Sequence, residues 1–109
     1  MIRYATREDL LQWFGEVPAT MRAIVAEEGG EVLAIAGLAN MADHVQAFSA
    51  YKPGTLQTTK ARLAVRFAEL LRETTGTVFA LCSETEPTAP GLLVRMGFTN
   101  QGGKVWCHG

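Results

Sequence analysis

The sequence predicts a mixed α/β fold in which helices cover both faces of one sheet. Residues 32–36 are apolar at every position, which is typical of a strand buried on both sides. A long run after residue 55 has apolar side chains at helical spacing, and short β-prone runs precede and follow it. With 109 residues, 48% of them hydrophobic, the chain suffices for one core, so we predict a single domain over residues 1–109.

The first strand and the first helix are indicated by short local patterns. Ile2–Tyr4 is β-prone, and Thr6 with Asp9 forms a Thr-x-x-Asp pattern in which the threonine caps a new helix. We therefore predict a helix over Arg7–Phe14, which Gly15 and Pro18 end.

The next three runs predict an antiparallel meander. Residues 20–27 and 31–38 are rich in Ile, Val, Leu and Ala, and the sequence Glu-Gly-Gly between them predicts a hairpin. Alternating side chains over Val45–Tyr51 predict the third strand of the meander, which the pair Pro53-Gly54 interrupts.

The second half of the chain predicts two helices and three strands. The long helix has Thr55 as its predicted N-cap, Gly76 as its predicted end, and apolar residues at Leu56, Leu63, Phe67, Leu70 and Leu71. A strand follows at residues 77–82, and a short helix at 89–96 closes at Gly97. Residues 98–100 and 104–108 then pair across two glycines, which gives the order β-α-β-β-β-α-β-α-β-β.

Composition excludes several classes of function. The 10 Lys and Arg residues against 11 Asp and Glu residues leave a net charge of -1, so we expect no nucleic-acid partner. No apolar run reaches the roughly 20 residues that cross a bilayer, and the start lacks the apolar core of a signal peptide, so we predict a cytoplasmic protein without membrane contact. Cys82 and Cys107 lack the spacing of a disulfide framework or a metal centre, and we expect no metal.

The element order and two local motifs resemble the GNAT superfamily, the acyl-CoA-dependent N-acetyltransferases. Residues 2–10, IRYATREDL, are similar to the family's first strand and capped first helix. Residues 92–98, LLVRMGF, are similar to its last helix, which ends in a Gly-Phe pair before the final strands. With the matching order between them, these motifs extend the resemblance over nearly the whole chain.

The resemblance implies a sheet that opens beyond its fourth strand, Val45–Tyr51, with acetyl-CoA in the gap between that strand and residues 77–82. The pantetheine arm would bind the strand backbone at Phe48, Ser49 and Ala50. The pyrophosphate would lie at the start of the long helix, over residues 52–58, where unpaired N–H groups and the helix dipole favour an anion. The candidate residues there are Lys52, Gly54, Thr55 and Thr58, and Lys60 and Arg62 are the nearby helix cations.

Three features depart from the family pattern. The phosphate loop has a single glycine, and Pro53 removes one N–H donor. Leu93 stands four residues before Gly97, where many members have a tyrosine that protonates the departing thiolate. Residues 14–20 leave no room for the usual second helix, so the acceptor site would be open, or a second copy or a partner protein would complete it.

Two functions stay open at this point. The first is an N-acetyltransferase that transfers acetyl directly from acetyl-CoA to a primary amine of a small molecule or a protein, with Asp43 and His44 as the candidate base. Glu27 and Glu28 at the hairpin are weaker candidates, because a solvated hairpin end explains them. The alternative is a non-catalytic GNAT-fold interaction or structural protein, of a phage-encoded or accessory kind, that has lost cofactor binding.

Overall fold

The computed structural model describes residues 1–16, 20–40, 43–74, 76–81, 89–103 and 105–108. In chain order the elements are β1 (Ile2–Tyr4), α1 (Arg7–Phe14), β2 (Met21–Glu28), β3 (Glu31–Asn40), β4 (Val45–Tyr51), α2 (Gln57–Glu73), β5 (Val78–Leu81), α3 (Ala89–Arg95), β6 (Thr99–Gly102) and β7 (Val105–His108). Within these ranges, the strands form one sheet with the spatial order β1-β2-β3-β4-β5-β7-β6. No helix there has the length and apolar character needed to span a bilayer.

The sheet combines an antiparallel meander with one parallel pair. Strands β1 to β4 pair antiparallel in chain order, β4 and β5 pair parallel across α2, and β7 lies between β5 and β6. The predicted order of elements is confirmed, and α1 and β4 have the predicted bounds. Of the segment between α1 and β2, residues 15, 16 and 20 are described and are not helical.

The sheet is buried on both faces, as the apolar run in β3 predicts. Ala34 and Ala36 of β3 pack in the larger core beneath α2 and α3, where the helices contribute Leu63, Phe67, Leu70, Leu71 and Leu93. Ile35 between them faces the other way, into a smaller core that Leu10 and Trp13 of α1 help to form. The molecule thus has three layers, with α1 on one face of the sheet and α2 and α3 on the other.

Both predicted ends of the long helix were wrong. Leu56, not Thr55, is the N-cap of α2, and no side chain caps it, because the Thr55 hydroxyl donates to the Lys52 carbonyl oxygen at 2.6 Å in the preceding turn. The helix ends before Gly76, at Glu73, and Thr74 is the C-cap, with its hydroxyl donating to the Leu70 carbonyl oxygen at 2.9 Å. A threonine hydroxyl thus bonds a nearby carbonyl at each end of the helix.

The other boundaries shift by a few residues. Strand β3 runs two residues further than predicted, because Asn40 pairs with Val45 and its N–H donates to the Thr20 carbonyl oxygen at 3.1 Å. Phe98 lies in the turn that follows α3 and not in β6, since its N–H donates to the Leu93 carbonyl oxygen at 2.9 Å. Predictions that involve residues 18, 82 and 104 lie outside the described residues.

An ion pair attaches α1 to the edge of the sheet. The predicted capping box is confirmed, with the Asp9 N–H donating to the Thr6 hydroxyl and the Thr6 N–H donating to the Asp9 carboxylate. That carboxylate also accepts two bonds from the Arg3 guanidinium, at 2.5 and 3.1 Å. The Arg3 bonds are the main reason that the pKa of Asp9 lies well below its usual range.

We expect Asp9→Asn to lower the free energy of unfolding at pH 7 by about 1–3 kcal/mol, because it removes the charge from a bidentate pair. A depressed folded-state pKa gives stability that is present above the unfolded pKa of about 3.9 and is lost as the pH falls through the folded value. Urea denaturation from pH 7 to pH 2 should therefore show the two proteins converging in acid. A constant difference would contradict this account, and the exposed Glu8→Gln is the control, with an effect within about 0.5 kcal/mol.

Gly37 of β3 makes room for an aromatic ring from β4. A Cβ at this position would lie 2.6 Å from the Arg22 carbonyl oxygen and 2.8 Å from Phe48 Cζ. The Phe48 ring also meets Phe14 of α1 edge to face, with the centroids 5.9 Å apart. The glycine thus lets α1 pack close to the middle of β4.

Gly37→Ala should destabilise the fold by about 1–3 kcal/mol, because one of the clashing atoms is backbone and cannot move aside. Thermal and urea unfolding measure the change. Gly91→Ala in α3 is the control, since its Cβ would meet open space, and we expect it to be neutral or to stabilise by up to about 1 kcal/mol. Equal effects of the two substitutions would contradict the close approach at Gly37.

Candidate functional site

The parallel pair β4 and β5 opens before β4 ends. Their register covers three pairs, of which Val45 with Val78 is the first and Ala47 with Ala80 is the last. Strand β4 continues to Tyr51, so in the described structure residues 48–51 extend past the pairing with β5. A strand edge of this kind offers N–H and C=O groups to an extended ligand. Among the described residues, the β4–β5 pairing thus ends at the place where the resemblance predicts the opening.

A cavity of about 80 Å³ lies in this gap, on the face that α2 and α3 cover. Its lining is mostly apolar and consists of Ala36, Ala47, Phe48, Ser49, Tyr51, Leu63, Ala64, Phe67, Ala80, Leu93 and Met96. Leu93 is 8% exposed and forms part of the wall. This is the position at which, by the resemblance, many members of the family have a tyrosine. A narrow apolar slot beside strand backbone that makes no described pair with β5 suits a flexible chain that carries amide groups.

The start of α2 lies directly after the open end of β4. Its first turn has no acidic residue and no side-chain cap, so the N–H groups of that turn are available to an anion, which the helix dipole also favours. Gly54 precedes it in a turn with φ of +84°, a conformation that glycine adopts without strain. Lys60 in the same turn holds its ammonium 4.7 Å from the centre of the Tyr51 ring.

The structure brings only some of the predicted phosphate residues to this helix start. Gly54 and Thr58 lie there, whereas the Lys52 ammonium lies on the α1 side, 3.4 Å from the Glu31 carboxylate and 5.7 Å from the Trp13 ring centre. The Thr55 hydroxyl is bonded within the turn. Lys60, which is the first-turn cation, is therefore better placed for a phosphate than Lys52.

On the opposite face, a surface recess of about 450 Å³ contains the candidate base. It is lined by Asp43, His44, Gln46, Phe79, Ala80 and Val105. Side chains alternate along β4, so His44 and Gln46 lie on the same face as Phe48, away from the gap-side residues Ala47 and Ser49. Sequence reasoning missed Gln46, Phe79 and Val105, and for Gln46 the signal was its two-residue spacing from His44.

Asp43 and His44 form a hydrogen-bonded pair, with 2.5 Å between Asp43 Oδ1 and His44 Nδ1. The bond to His44 is the main cause that lowers the pKa of Asp43, so the carboxylate is ionised at neutral pH and can only accept. Nδ1 therefore donates, and Nε2 of the neutral ring is left as a proton acceptor. The ring also meets Phe79 edge to face at 5.6 Å, which fixes its orientation.

The cavity and the recess share one lining residue at the end of the described β4–β5 pairing. Ala80, which belongs to the last pair, borders both of them. The two sites lie on opposite faces of the sheet and have this residue in common. Glu27 lies elsewhere, at the β1 edge beside Arg3, with 3.4 Å between the charged groups.

Comparison with solved structures identifies the fold. An N-acetyltransferase from Staphylococcus aureus Mu50 superposes with a TM-score of 0.70 at 16% identity, over 98% of this chain and 93% of that one. The protein YncA from Salmonella typhimurium, whose structure contains its cofactor acetyl-CoA, gives 0.69 at 14% identity, over 98% and 89%. The ribosomal-protein-S18-alanine N-acetyltransferase from Escherichia coli gives 0.65 at 15%, over 98% and 88%.

The chain therefore has the fold of the GNAT N-acetyltransferases, as the resemblance implied. No protein-family profile matches the sequence, and no curated protein is similar to it in sequence.

Proposed function

We propose that the protein is an N-acetyltransferase that transfers acetyl from acetyl-CoA to a primary amine. The observation that carries the proposal is that Ala80, in the last described β4–β5 pair, lines both the gap cavity and the His44 recess. Acetyl-CoA supplies a thioester, whose carbonyl carbon an amine attacks. The residues of this chain would bind and orient acetyl-CoA and the amine, and one of them would take a proton from the amine.

The gap fits the extended part of acetyl-CoA. The backbone of residues 48–50, beyond the described pairs with β5, would bond the amides of the pantetheine arm, and the apolar cavity beside Ser49 would enclose its carbon chain. The first turn of α2, with Gly54 before it and Thr58 within it, would hold the pyrophosphate. Lys60 provides a cation in that turn.

His44 would act as the base, with Asp43 as its positioning partner. An ammonium acceptor loses one proton to His44 Nε2, directly or through a water molecule. The neutral nitrogen then attacks the thioester carbon, so that the C–N bond forms and the C–S bond breaks. The second proton leaves the nitrogen and neutralises the thiolate.

Leu93 has no acidic group, so this part of the cavity wall cannot donate a proton to the thiolate. The cavity opens on Ser49, which is exposed, so water can deliver the proton to the thiolate at this side. The same apolar wall is the observation that favours the alternative function, a GNAT-fold protein that does not catalyse. Binding of acetyl-CoA distinguishes the two.

Calorimetric titration with acetyl-CoA tests the proposal. The wild-type protein should bind, and Gly54→Val should weaken binding about tenfold or more, because a β-branched residue cannot keep the positive φ of the turn before α2. Gly30→Val is the matched control, since Gly30 has a φ of +82° in the hairpin between β2 and β3. Absence of wild-type binding at millimolar acetyl-CoA would remove the proposal and leave the non-catalytic alternative.

A further inference from the structure

The described residues that line the recess around His44 carry little charge. Asp43 is the one charged side chain among its described lining residues, and its carboxylate is already bonded to His44. The other described lining residues are Gln46, Phe79, Ala80 and Val105, and Val105 is 39% exposed. Among its described residues, the site thus has one anionic group and the polar Gln46 at one end, and an apolar surface formed by Phe79, Ala80 and Val105.

Gln46 lies between that anionic end and the opening of the strands. It is two residues beyond His44 on the same face of β4, so the two positions are about 7 Å apart along the strand. Within the described part of the chain, its amide bonds to no other side chain or backbone group. The side-chain amide oxygen of Gln46 is therefore available to accept a hydrogen bond from the N–H of an amine that enters the recess toward the gap.

We infer that the recess selects a primary amine carried on an uncharged, apolar group, with the amine near His44 and Gln46 and the apolar body against Phe79 and Val105. This inference rests on the proposed N-acetyltransferase function. An acidic acceptor would meet the Asp43 carboxylate. A polyamine would bring a second ammonium onto the apolar wall, where no described side chain could pair with it, and an unpaired charge on such a surface is unfavourable.

The test uses two amine acceptors with the same six-carbon chain. Hexylamine carries one ammonium group, and 1,6-diaminohexane carries a second one at the end that would lie on the apolar wall. With saturating acetyl-CoA, we expect kcat/KM for hexylamine to exceed that for the diamine by about tenfold or more, mainly through KM. Release of the CoA thiol and mass spectrometry of the acetylated amine measure both rates.

Val105→Asp should reduce or reverse the preference for hexylamine over the diamine, because it places a carboxylate on the wall where the second ammonium would lie. Val105→Thr is the matched control, which keeps the size and branching without charge and should keep the preference for hexylamine. Binding of acetyl-CoA to each variant, measured by titration, should match that of the wild type, since Val105 lies outside the gap cavity.

The outcomes separate the inference from the proposed function. Bound acetyl-CoA with the diamine equal to or better than hexylamine would overturn the inference and leave the acetyltransferase function intact. The same holds if Val105→Asp and Val105→Thr show the same preference. If acetyl-CoA does not bind to the wild-type protein, the proposed function fails and the inference fails with it.

Discussion

Ser49→Phe should abolish acetyl-CoA binding and leave the fold intact. Ser49 is exposed on β4, and its side chain lies on the gap face between Ala47 and Tyr51. An aromatic ring there would fill the cavity of about 80 Å³, so the pantetheine arm would have no space. We expect affinity to fall about a hundredfold or more, which corresponds to ~3 kcal/mol of binding free energy.

Urea unfolding and acetyl-CoA titration of the same variants distinguish a loss of binding from a loss of folding. Thr99→Phe is the matched control, because Thr99 is an exposed position on the edge strand β6, away from the gap. Both variants should unfold at nearly the wild-type urea concentration, and only Ser49→Phe should lose the heat of acetyl-CoA binding. Full affinity in Ser49→Phe would show that the ligand does not use the gap.

His44→Gln should lower kcat by about 10² to 10⁴, the range by which a positioned base accelerates proton transfer. Affinity for acetyl-CoA should not change, because His44 lies on the opposite face from the cavity. Asp43→Asn should cause a smaller loss, since the amide oxygen can still accept from Nδ1 but no longer stabilises the protonated ring.

The second histidine provides the control for that experiment. His108 of β7 packs against Phe98, with the ring centres 5.4 Å apart, and lines neither the cavity nor the recess. His108→Gln should keep the wild-type rate. An unchanged kcat in His44→Gln would dismiss the histidine as base.

Most of the fold could be predicted because local patterns and tertiary packing agree. The capping box at Thr6 and Asp9 and the alternation along β4 each indicate one structure, and both elements have the predicted bounds. The ends of α2 could not be predicted, since they depend on which carbonyl the Thr55 and Thr74 hydroxyls reach. Such local competition has no signature in residue type alone.

The site was less predictable than the fold, because it depends on side-chain direction and on strand pairing. Lys52 was a reasonable phosphate ligand by its position, but Glu31 and Trp13 hold its ammonium on the α1 side. Phe79 and Val105 were not predicted as site residues, because the recess forms only when β5 and β7 are neighbours in the sheet. The roles of the remaining candidates stay predictions until ligand binding is measured.

Backbone NMR during an acetyl-CoA titration tests the central claim most directly, because it reports each residue separately. If the ligand lies between β4 and β5, the amide signals of residues 48–51 and of the first turn of α2 should shift together, and those of β1 should not. Signals that stay unchanged at millimolar acetyl-CoA, or shifts confined to residues outside the gap and the start of α2, would contradict it.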